Sequence, residues 1–188
     1  MAFVIWRLAH ESAINLHGED FEYRGDAQRF EVIAEFAAWL IHLTDRMVHG
    51  RLDDAERQTL IVGLARRMAG HMQDNASEIA GPGDYGTPFI SMMNERFEEF
   101  AEGSYESGQP GYSLKRALGY HVLKRMGEDQ TNKWVMDQVM DIEAPEIHRK
   151  LHITVEGLLS SGRVDLTPPT ELEDHRPAPR RGAVMDPG

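Results

Sequence analysis

The sequence predicts an all-α protein: a single-domain bundle of five to six helices followed by a flexible Pro/Arg-rich tail. Three observations carry the prediction. Apolar residues recur at helical rather than alternating spacing through most of the first 160 positions. Helix start and stop signals punctuate those stretches. The chain has 188 residues, 41% hydrophobic and 27% charged, which suits one folded domain with a real core. Residues 1–160 form the helical domain and 161–188 the tail.

The first 25 residues admit two readings. MAFVIWRLAHESAIN reads as a helix from Ala2 to about Asn15. The competing reading is a short hairpin about His17-Gly18-Glu19-Asp20, because Phe21 and Tyr23 alternate with polar residues. The helix is preferred.

The next helix runs from about Ala27 to Val48. Phe30, Ile33, Ala37, Leu40, Thr44 and Met47 make its apolar face, and Gly50 follows its end. A third helix opens at Asp53-Asp54-Ala55-Glu56, where Asp53 and Glu56 form a capping-box pattern. It continues through Leu60, Leu64, Met68 and Met72 to about Ile79. Gly81-Pro82-Gly83 stops it, since proline cannot continue the hydrogen-bond ladder.

Thr87-Pro88 predicts the next start, with Thr as N-cap and Pro in the first helical position. Phe89, Met92, Met93, Phe97 and Phe100 lie on this helix, and the loop Ser107–Gly111 ends it. Ser113 is the expected cap of a helix over Leu114–Met126, closed by Gly127. A last long segment runs from Asp129 to about Leu159, kinked or broken near Pro145. After Ser160 the composition turns rich in Pro, Arg and Asp, as expected of a mobile tail.

Composition excludes several chemistries. There are no cysteines, so disulfides, iron–sulfur clusters, thiolate zinc sites and thiol nucleophiles are ruled out. The net charge of −11 argues against a nucleic-acid partner, which needs a dense basic face. The N-terminal segment lacks the basic region of a signal peptide, and no run reaches the ~20 apolar residues of a membrane span. A soluble, cytoplasmic protein is expected.

Gly81-Pro82-Gly83-Asp84-Tyr85-Gly86 matches G-x-G-x-x-G. That motif binds a dinucleotide only when a strand feeds it; here a helix precedes it, and it reads as a linker. Glu-x-x-His pairs, His-Glu-x-x-His, Gly-x-Ser-x-Gly and the P-loop are all absent. No catalytic residue is identified, and a non-enzyme is expected.

Two groups of side chains have the chemistry of metal ligands. Glu31, Glu35, His42, Asp45 and His49 fall within roughly 80° on the second helix. Imidazole and carboxylate together suit a divalent metal. The plainer reading is the narrow wet strip of a mostly buried helix, since His42 and His49 stand about 10 Å apart along the axis. The other group is His148 and His152, one helical turn apart, with Glu156 beyond. Met and aromatic residues suggest a third chemistry, a small apolar ligand between helices walled by Trp39, Met93, Phe97 and Trp134. Core filling is its plainer counterpart.

The leading functional expectation is a non-catalytic helical protein acting by association, as a homodimer or as an adaptor or regulatory module with a protein partner. The alternatives are a His/carboxylate metal-binding bundle and a binder of a small apolar ligand.

Overall fold

In a computed structural model, which describes residues 1–19, 21–127 and 133–161, the architecture is all-α with one minimal hairpin. The helices are α1 (Ala2–Gly18), α2 (Asp26–Val48), α3 (Asp54–Ala80), α4 (Gly86–Ala101), α5 (Tyr112–Met126), α6 (Val135–Gln138) and α7 (Ala144–Ser160). A π-helical turn over Val139–Glu143 joins α6 to α7 without a break, and two-residue strands β1 (Tyr105–Glu106) and β2 (Gln109–Pro110) lie between α4 and α5. The expected tail falls outside the described residues.

The second helix is the axis of the molecule. Of its 23 residues 14 are buried, and it packs against α1, α3, α4, α5 and α7. A helix apolar on nearly all sides must be surrounded in this way. Phe36, Trp39, Leu40, Ile41 and Leu43 are fully enclosed. The Trp39 indole donates to the Leu114 carbonyl at 3.2 Å, so this large ring is buried with its polar edge satisfied.

Local chemistry explains the helix ends. The Asp53–Glu56 capping box forms in both directions, and Gly81 closes α3 at φ +85°, where a side chain would be strained. At the N-terminus the helix is realised, three residues longer than expected, ending at Gly18. Helix α4 starts at Gly86 rather than after Thr87. Tyr85 is its N-cap, and the Asp84 carboxylate one residue earlier accepts from the Thr87 N–H at 3.0 Å. Helix α5 likewise begins at Tyr112, with Gly111 rather than Ser113 at its N-cap.

Pro145 does not break the last segment. It sits in the first turn of α7, directly after the π-helical turn. Proline offers no N–H to the carbonyl four residues back, and its ring crowds that carbonyl; a turn widened to i→i+5 accommodates both.

Candidate functional site

The polar strip on α2 faces water only at its two ends. Glu35 is fully buried and accepts three charge-assisted hydrogen bonds. Arg96 on α4 donates two, at 2.7 and 2.9 Å, and Arg125 on α5 donates one, at 2.9 Å. The strip is the seam between α2, α4 and α5, and a carboxylate is held there by the planar guanidinium fork. Burial opposes the charge on Arg96, but its bonds to Glu35 raise its pKa above the usual arginine value. Glu31, at the outer end, is exposed and 3.6 Å from Arg125.

His42 is buried at 3% exposure, with Phe97 and Phe100 edge-on to its ring at 5.3 and 5.6 Å. Neither ring nitrogen meets a hydrogen-bond partner among the described residues. Burial first, then the neighbouring Arg46, push its pKa down to about 4, so the imidazole is neutral at ordinary pH. Asp45 points to α3, where Arg57 grips it through two bonds of 2.6 Å. His49 is exposed at the end of the helix. Glu35, His42, Asp45 and His49 are therefore distributed over separate contacts.

The second His group lies where α7 meets the hairpin. His148 is buried, with its Nε2 3.4 Å from the Tyr105 hydroxyl. Its ring stacks on that of His152 with centroids 6.0 Å apart. Burial and the adjacent His152 hold His148 below the usual histidine range. Glu156, the third group of the spacing argument, is engaged by Arg51. Among the described residues, no three His, Asp or Glu side chains are gathered so as to hold a metal ion.

The four proposed ligand walls differ in burial. Trp39 and Met93 are buried and Phe97 is half-buried against His42. Trp134 is 63% exposed, with the Lys133 ammonium 5.5 Å from its ring centre. The glycine-rich loop is also fixed: the Tyr85 and Gly86 amides, which a phosphate would need, donate to Gln73 at 2.9 and 3.3 Å.

Two features escaped the sequence reading. One is Glu143, buried at 3% exposure in the π-helical turn. Its hydrogen-bond donor from α1 is the Asn15 amide at 3.3 Å. Burial pushes this carboxyl up, and the surrounding polar side chains of Asn15, Ser12 and Gln138 offset that only in part. A glutamate two places before a proline inside a helical pattern was the available signal. The other is the outer surface of α1 and the last helical segment. Phe3 and Ile14 stand eleven residues apart on α1, as do Ile142 and Ile153 at the far end of the chain. They are 61%, 51%, 55% and 60% exposed. Eleven residues is close to three helical turns, so each pair shares a face.

No described helix is long and apolar enough to cross a membrane. Comparisons with protein-family models, with curated proteins and with solved structures gave no match.

Proposed function

We propose that the protein works in the cytoplasm by association rather than catalysis, and that it self-associates through the joined outer faces of α1 and α7. The observation that carries this reading is four large exposed apolar side chains, Phe3 and Ile14 on α1, Ile153 on α7 and Ile142 in the π-helical turn that leads into α7. The two helices are neighbours, tied by Lys150–Glu11 at 2.5 Å and by Asn15–Glu143 at 3.3 Å. Exposed aliphatic and aromatic groups concentrated on one face mark interaction sites.

Charge favours a second copy as the occupant. Two molecules each carrying −11 repel, so they can meet only where the local charge is near balance. Around the four apolar groups, on α1 and Val139–Ser160, three cations (Arg7, Arg149, Lys150) stand against four anions that are not buried (Glu11, Asp141, Glu146, Glu156). A nearly balanced patch with apolar groups suits the self-complementarity that a two-fold interface requires.

Sedimentation equilibrium on the full chain tests this. A dimer is expected at about 10 µM, corresponding to roughly 7 kcal/mol of association. Phe3→Glu with Ile153→Glu is expected to weaken it at least tenfold while leaving the helical circular dichroism intact. A wild-type monomer at ten times that concentration, or a dimer indifferent to both substitutions, overturns the reading.

A second reading, a small ligand held in the α2–α4 seam, has one observation behind it: the two unpartnered nitrogens of buried His42 beside Phe97. Native mass spectrometry of the protein as purified decides it. A bound species lost in His42→Phe supports a ligand, and bare protein with a more stable variant assigns His42 to the core.

A further inference from the structure

Helix α5 has a charge and composition unlike the rest of the chain. About one residue in six is acidic overall, yet the stretch Ser107–Gly127 contains no Asp or Glu. Four cations lie on α5: Lys115, Arg116, Lys124 and Arg125. Arg125 is committed to Glu35 at 2.9 Å, and Lys124 sits 5.4 Å from the Tyr120 ring centre. Lys115 and Arg116 make no ion pair among the described residues, and Arg116 is exposed.

Three exposed aromatic rings lie on α5 and just before α6. Tyr112 is 69% exposed and Tyr120 43%. Tyr112, Arg116 and Tyr120 follow one another at four-residue spacing and so run along one side of the helix. Trp134 extends the surface. Gly119 leaves so little room that a Cβ there would stand 3.1 Å from both the Cγ and the carbonyl oxygen of Met136. The start of α6, with Trp134 and Lys133, is thereby held against the middle of α5. Tyr, Trp and Arg are the residues that carry most binding energy at protein interfaces.

The flank limits the shape of what can bind. Alongside α5 runs α4, joined to it by Glu99–His121 at 2.6 Å and exposing Glu95, Glu98 and Glu99. The basic surface is thus bounded on the α4 side and, from Tyr112 to Lys124, about 18 Å long. A continuous polyanion would also meet the acidic flank, whereas a short acidic rod would not. We infer that Tyr112, Lys115, Arg116, Tyr120, Lys133 and Trp134 form a docking surface for an acidic helical segment of a protein partner. This surface is separate from the self-association face and stands without it.

The test uses the full chain and a fluorescein-labelled helical peptide of about twelve residues with Glu along one face and Leu interspersed. Its Glu→Gln version and an oligothymidylate of similar length are the comparison probes. Anisotropy is expected to give a Kd on the order of 10–100 µM at low salt, weakening steeply as salt is raised. The intrinsic tryptophan emission should shift on binding, and Trp134→Ala should remove that shift. Arg116→Glu should weaken binding at least tenfold, whereas Phe3→Glu should leave it unchanged. Equal binding of the Glu→Gln peptide, indifference to Arg116→Glu, or no binding at millimolar peptide overturns the inference. Tighter binding of the oligonucleotide overturns it in favour of nucleic acid.

Discussion

Glu35 and Glu143 are both buried helical glutamates, at 0% and 3% exposure, yet their surroundings differ in kind. Glu35 receives three N–H bonds from two guanidiniums. Glu143 faces an amide and other neutral side chains, and burial drives its carboxyl toward the protonated form. Burial alone thus says little about a buried carboxyl; the charge of what encloses it is what sets the two apart. The first is a structural clamp across three helices. The second is a carboxyl kept at a cost, in the one π-helical turn of the described chain.

The largest effect should come from emptying the clamp. Glu35→Ala leaves Arg96 and Arg125 facing each other in the seam, and a loss of about 3–5 kcal/mol is expected in urea unfolding. A loss under about 1 kcal/mol would mean that both arginines reach water freely and that the contrast with Glu143 is smaller than drawn.

His42 provides a buried group with no hydrogen-bond partner among the described residues, and pH measures it. Its folded pKa of about 4 lies below the ordinary 6.5. Above pH 6.5 it is neutral folded or unfolded and contributes nothing. Between 6.5 and 4 the unfolded chain takes up a proton that the folded chain refuses, so stability falls with falling pH. At about 1.4 kcal/mol per pH unit the loss comes to about 3 kcal/mol. His42→Phe should flatten that part of the stability–pH curve relative to the parent protein; parallel curves would show that the imidazole can charge in place.

Arg96→Lys sharpens the clamp. It keeps the charge but replaces a two-pronged grip with a point contact, and about 1–2 kcal/mol should be lost. Charge alone suffices if chemical denaturation finds the two proteins equal.

The smallest effect has the opposite sign. The raised pKa of Glu143 means that its neutral form stabilises the fold below the ordinary carboxyl pKa of 4.5, and that this contribution is lost as pH rises through the folded value. Glu143→Gln keeps the shape without the charge. It should gain on the order of 1 kcal/mol at neutral pH and nothing at pH 4. A destabilised variant at neutral pH would place an unseen cation beside Glu143.

How much of this was legible in the sequence depends on range. The α3 capping box and the glycine stops were readable because their partners lie three or four residues away. The fold class followed from apolar spacing, and the course of α2 from its wide apolar arc. The same arc implied burial, but not what would meet its polar strip. Glu35 looked solvated because Arg96 and Arg125 lie 61 and 90 residues off, and no local pattern links them. Ser113 and Thr87 were the expected caps, but the helices begin after Gly111 and Tyr85, in each case a shift of two residues that only tertiary packing decides. The exposed ridge on α1 was hidden by a contrary habit of reading. Phe3 and Ile14 count as core by residue type, and only placement against α2 puts them outside.

The central position of α2 has a consequence for how the protein comes apart. Each of the other long helices rests on it, so none can detach without wetting part of the innermost surface. Local opening is confined to the ends of the outer helices. The amides of Phe36–Leu43 should therefore exchange with deuterium only through complete unfolding, at one shared rate that tracks global stability. A bundle organised around an axle in this way gives a protease no separately opening unit among the described long helices.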